Sequence, residues 1–161
     1  MPKSATRLWA LLVFLLATAL AQLSLDLKGF KVQVKDGKEV LVEALEVAPG
    51  DVVVWRLLAE NKGKDPLRQV ALVIPIPKET VFLEAPLLRF REAQIRPEFS
   101  FDGGKTFGFP PLKKRVRVME GGKEVEKEVE VKPEEYTHVR YTIPELKPGE
   151  RVEVLVRTKV R

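Results

Sequence analysis

Apolar and polar positions alternate along this chain in short runs separated by turn residues, and the stretch Val47 to Pro77, VAPGDVVVWRLLAENKGKDPLRQVALVIPIP, shows the pattern most completely. Pro49-Gly50-Asp51 reads as a turn, because Pro presets φ and Gly supplies positive φ. In the run that follows, Val53, Trp55, Leu57 and Ala59 share one face, while Val52, Val54, Arg56, Leu58 and Glu60 share the other. One apolar and one mixed face predict a strand packed on one side and partly wet on the other. Asn61-Lys62-Gly63 breaks the pattern, and Asn61, the only asparagine in the chain, is expected in a left-handed turn. Leu67 to Ile76 restores it, with Val70, Leu72, Ile74 and Ile76 on a common face and Pro75 and Pro77 forcing the strand to end or reach a sheet edge.

The same reading extends in both directions. Leu23 to Val34 is a strand leading through Lys35-Asp36-Gly37 into Glu39 to Val42, in a register that sets Val32 opposite Val40 and Phe30 opposite Val42. Thr80 to Leu83 is a short strand, and Ala85 to Arg91 fits either a strand or a turn of helix. Lys113 to Val118 and Glu124 to Val131 flank Gly121-Gly122; a two-residue loop there pairs position i with 243 − i, so Arg117 faces Glu126, Arg115 faces Glu128 and Lys113 faces Glu130. That register answers the basic run internally, as an ion-paired hairpin. Pro133 to Tyr136 is a connector, Tyr136 to Thr142 a strand, and Ile143 to Glu150 a second turn opening the last strand, Arg151 to Val160. With no convincing helix after residue 21, the fold class is all-β, a single antiparallel sandwich over residues 22–161.

Ser100-Phe101-Asp102-Gly103-Gly104-Lys105-Thr106-Phe107 forms a hairpin in which Asp102 accepts hydrogen bonds from backbone amides across the glycine turn. Its Ser-x-Asp-x-Gly-x-Thr-aromatic form, carried by Ser100, Asp102, Gly104, Thr106 and Phe107, resembles the Asp-box of sialidase propellers and other secreted β proteins. In that family the box is a self-bonded hairpin away from the catalytic centre, so the resemblance implies structure and not chemistry. A propeller needs several blades of about 40 residues each, which this chain is too short to supply.

The first 21 residues carry a different pattern. Lys3 and Arg7 precede an apolar run from Leu8 to Leu16 and a small-x-small site at Ala19-Leu20-Ala21, the form of a secretory signal peptide cut before Gln22, with Ala17-Thr18-Ala19 as a second site. The run is shorter than the roughly 20 residues that span a bilayer, so no stable membrane span is expected after cleavage. Removing 21 of 161 residues takes the formal net charge from +5 to +3, which gives little reason to expect nucleic acid as a partner. The cysteine count is zero, so an exported domain must be held by its core. Charged residues at 32% and near-absence of Asn suggest a heat-adapted source.

Candidate chemistry is sparse. One histidine, His138, alternates with Val139 and Tyr141 and reads as a strand residue; the common zinc sites and Cys or Ser-His nucleophile systems are impossible here or rest on it alone. No enzyme activity, catalytic residue, metal site or cofactor is expected. A binding module remains as an alternative, with Asp102 and Asp65 or Glu120 offering oxygens to calcium or polar contacts to a glycan.

Finally, PGDVVVWRLLAENKG followed by VALVIPIP, and later YTIPELKPGERVEVLVRTKV, resembles the Ig-like conserved-repeat domain of bacterial cell-surface proteins. In that pattern an aromatic occupies the place of Trp55, an Asn-x-Gly turn that of Asn61 to Gly63, and a Leu-x-Pro-Gly-acid turn opens the closing strand. The resemblance spans about Glu43 to Val160; its motifs are turn and core residues, so it implies an Ig-like sandwich akin to adhesion-related envelope modules and is nearly silent on activity. The function expected of the chain is a non-catalytic structural or protein-interaction role in the bacterial cell envelope, with an envelope protein or surface glycan as partner. Two departures stand out: the domain occurs once, and Glu98 to Val131 is longer than the pattern needs, which marks it as the segment particular to this protein.

Overall fold

A computed structural model describes residues 22–161, and the signal-peptide reading of residues 1–21 lies outside the described residues. Twelve strands follow in chain order: β1 (Leu23–Lys35), β2 (Lys38–Glu43), β3 (Val52–Asn61), β4 (Leu67–Pro75), β5 (Thr80–Glu84), β6 (Leu88–Phe90), β7 (Ala93–Ile95), β8 (Glu98–Ser100), β9 (Lys113–Glu120), β10 (Lys123–Glu130), β11 (His138–Leu146) and β12 (Arg151–Val160). A single 3₁₀ turn, Pro133–Glu135, precedes β11. Among the described residues no helix is long and apolar enough to cross a membrane.

Two antiparallel sheets supply the body, one ordered β2-β1-β3-β12-β5 and the other β4-β11-β8. Their apolar faces form one core. Val53, Trp55, Leu57 and Ala59 of β3 and Val152, Val154 and Val156 of β12 lie in it with Val70, Leu72 and Ile74 of β4 and Val139, Tyr141 and Ile143 of β11. The period-2 pattern therefore selects the buried face on each strand, and the architecture is a sandwich-like all-β fold. One end of the core is filled by rings from both sheets: Phe82 of β5 lies edge-on to Phe99 of β8 at 5.0 Å, and Tyr136 stacks on Phe99 at 4.5 Å. Tyr141 reaches across the core and donates its hydroxyl to Pro86 O at 2.6 Å.

Several local expectations need correction. The β1–β2 pairing sets Val32 against Leu41, Gln33 against Val40 and Phe30 against Glu43, one residue away from the expected register. Asp36 and Gly37 both have positive φ, 51° and 75°, so the loop is two residues long and the pairing shifts by one. Asn61 is not left-handed; it ends β3 in extended conformation. The segment Ile143 to Leu146 is not a turn but the end of β11, paired with β4 as far as Leu67. Pro144 is accommodated because the pairing phase, fixed where Ile76 N donates to Thr137 O, turns the nitrogen of residue 144 away from β4, on the side where the pairing with β8 has already ended at Arg140. Ala85 to Arg91 resolves as strand β6, which pairs with a strand the alternation did not reveal, β7.

Candidate interaction surface

Trp55 and Asn61 belong to the framework. The Trp55 indole donates to Thr158 Oγ1 at 3.1 Å, and Thr158 Oγ1 in turn donates to Val53 O. Gly29 on β1 is needed beside it, since a Cβ there would sit 2.9 Å from the Trp55 ring. Asn61 is completely buried, and its amide satisfies three backbone groups: Nδ2 donates to Leu146 O at 2.9 Å and Asp65 O at 2.8 Å, while Oδ1 accepts from Gly63 N at 3.0 Å.

Ser100, Asp102, Gly104, Thr106 and Phe107 do come together. Ser100 Oγ donates to Asp102 Oδ1 at 2.7 Å and accepts from Gly104 N at 2.9 Å. Asp102 Oδ1 also accepts from Thr106 N at 3.0 Å, and Oδ2 from Thr106 Oγ1 at 2.5 Å. Gly103 and Gly104 take φ of 79° and 89°, which makes the tight loop open to glycine. Hydrogen bonds to the charged form, first from the Thr106 hydroxyl and then from its amide and from Ser100, hold the Asp102 carboxyl well below the usual carboxylate range. Both carboxylate oxygens are thus engaged within the loop. Phe107 lies under the Arg140 guanidinium at 4.2 Å, and Arg140 is paired with Glu98 at 3.0 Å. His138 presents its ring edge to Phe107, and its Nδ1 is 2.9 Å from Thr137 Oγ1; burial lowers its pKa against an opposing pull from Asp102.

The oxygens offered for calcium do not assemble. Asp65 sits in the turn after β3, where its backbone carbonyl binds Asn61, and Glu120 pairs with Lys127 at the end of the β9–β10 hairpin. Among the described residues no three acidic or histidine side chains gather. A shallow hollow of about 470 Å³, lined by Phe90, Arg91, Glu92, Ala93, Pro144 and Glu145, was not foreseen. Arg91, at its wall, has φ 55° and pairs with Glu150 and Glu145. Nothing in the sequence marks an arginine for left-handed backbone, so no local pattern could have found it.

The hairpin β9–β10 is the element that stands apart. It forms its own two-stranded sheet and contacts chiefly itself. Val131 N donates to Leu112 O at 2.8 Å and Lys114 pairs with Glu135, and these contacts hold its base to the body. The expected register is present, with Arg117 opposite Glu126, Arg115 opposite Glu128 and Lys113 opposite Glu130. The arginine ion pairs, however, are diagonal, Arg115 with Glu126 at 3.7 Å and Arg117 with Glu124 at 3.7 Å, while on the other face Lys127 reaches further toward the tip, to Glu120. Right-handed twist brings the diagonal neighbour nearer the tip within reach of a long side chain. Among the described residues this slip leaves Lys113, Glu128 and Glu130 outside any ion pair.

Comparison with protein-family models, curated proteins and solved structures found no match for this chain.

Proposed function

We propose that this chain is an exported, non-catalytic domain of Ig-like sandwich type with a structural or protein-interaction role in the bacterial cell envelope. One observation carries the interaction reading: the β9–β10 ribbon is anchored only near its base, so the outer backbone edges of both strands are open to another chain. It lies within Glu98 to Val131, the segment that departs from the resembling family. Export rests on the leader pattern of residues 1–21. Against catalysis stands the engagement of the chemically capable groups: Asp102 is bonded within its loop, and His138 Nδ1 is held at 2.9 Å by Thr137 Oγ1.

The test is crosslinking in the native host followed by capture, comparing the intact protein with one whose residues 113–130 are replaced by a short turn. The reading expects an envelope partner with the first and loss of it with the second; equal recovery from both, or nothing above background from either, overturns it. Mass spectrometry of the exported protein is expected to find Gln22 or Leu20 at the mature N-terminus. A glycan-binding alternative is favoured by Phe109, exposed near the Asp102 loop with the Arg96 guanidinium 4.6 Å over its ring. A rise in melting temperature with members of a glycan panel would support it.

A further inference from the structure

The open edges of the ribbon are chemically opposite, and the hydrogen-bond phase of the hairpin makes them so. Gly121 and Gly122 both have positive φ, 57° and 78°, which is the two-residue turn whose flanking residues, Glu120 and Lys123, exchange both backbone bonds. Bonding then alternates outward from the tip, through the pairs Val118–Val125, Val116–Lys127 and Lys114–Val129. The bond from Val131 N to Leu112 O continues the same phase at the base. The remaining residues must turn their N–H and C=O groups away from the ribbon. On β9 these are Lys113, Arg115, Arg117 and Met119; on β10 they are Glu124, Glu126, Glu128 and Glu130. The groups that offer a free ladder thus carry cationic side chains on one edge and only carboxylates on the other.

From this we infer that the ribbon associates with a second copy of the same chain, head to tail, β9 of one against β10 of the next. An antiparallel neighbour bonds through outward-facing residues on both strands, which brings their side chains opposite each other on one face. Joining β9 to β9 therefore places Lys and Arg against Lys and Arg, and joining β10 to β10 places Glu against Glu. Both symmetric dimers are opposed, because like charges directly opposite destabilise a pair. Joining β9 to β10 instead alternates the sign along every charged row and gives Glu128 and Glu130, which form no ion pair among the described residues, cations to meet. The other face continues the stripe of Val116, Val118, Val125 and Val129. The contact is heterologous and leaves one edge open at each end, so it adds further copies and does not stop at a dimer.

This inference rests on the ribbon being an interaction element, and the experiment separates the two. Sedimentation of the purified protein over a concentration series is expected to show mass growing past that of a dimer and falling as salt is added. Met119→Pro removes one outward donor while keeping the inner ladder and every charge, and is expected to weaken association at least about tenfold. Glu126→Lys with Glu128→Lys puts cations at the middle of both edges, and Arg115→Glu with Arg117→Glu puts carboxylates there. Neither double variant is expected to associate alone, and mixing them is expected to restore association, with the two variants alternating. Hydrogen exchange at Val118 and Val125 in each variant reports whether the ribbon is still formed. A wild-type protein that stays monomeric up to about 1 mM, or one whose association Met119→Pro leaves unchanged with the ribbon formed, overturns the inference. If a monomeric protein still captures an envelope partner through the ribbon, the proposed function survives and the self-association does not.

Discussion

Asn61 shows how a residue can be singled out correctly for the wrong reason. Its isolation in the composition suggested a left-handed turn, but its role is to join three backbone groups through a buried amide. Asn61→Ala leaves Leu146 O and Gly63 N without that partner, and is expected to cost about 2 kcal/mol or more in denaturant unfolding. Trp55→Ala removes the ring that packs against Gly29 and the partner of Thr158, with an expected loss of about 3–5 kcal/mol. Titration adds a pH dependence with a definite sign. Asp102 and His138 both have folded pKa values below their ordinary ones, so the unfolded chain binds more protons. Their contributions are complete above the unfolded values, about 4 and about 6.5, and are lost as pH falls through the folded values. Urea midpoints against pH are expected to flatten just below about 6.5 in His138→Gln, and below about 4 in Asp102→Asn.

Strands were legible in the sequence wherever one face is apolar, and registers wherever the turn declared its length. The β9–β10 register follows from Gly121-Gly122, which admits one short loop. The β1–β2 register was misplaced because Lys35-Asp36-Gly37 fits either of two loop lengths, and Asp36 takes the left-handed state that glycine alone was expected to take. Pro144 hid the end of β11, since a proline reads locally as a strand end, whereas its nitrogen here faces an edge that β8 does not reach, which only the sheet order reveals. The partners within the ribbon could not be read from register alone, because twist chooses the diagonal. Arg115→Glu is therefore expected to be rescued by Glu126→Arg, with a coupling of about 0.2–1 kcal/mol in a double-mutant cycle, and not by Glu128→Arg.

For the whole molecule, the alternation was enough to predict two antiparallel sheets around one core, because the buried faces of β3, β4 and β12 are the apolar ones. The candidate surface was less visible: a ribbon's charges are plain in the sequence, but its separation from the body depends on where β8 and the 3₁₀ turn leave the chain. Replacing residues 113–130 by a short turn is expected to leave the sandwich folded, with the melting temperature changed by less than about 5 °C. The central position of β12 has a kinetic consequence. Its hydrogen bonds run to β3, about a hundred residues earlier, and to β5, so neither strand has its final neighbour until the last segment of the chain has arrived. Contacts of such long range make folding slow, and a chain delivered from its N-terminus must wait with the inner edge of β3 uncovered.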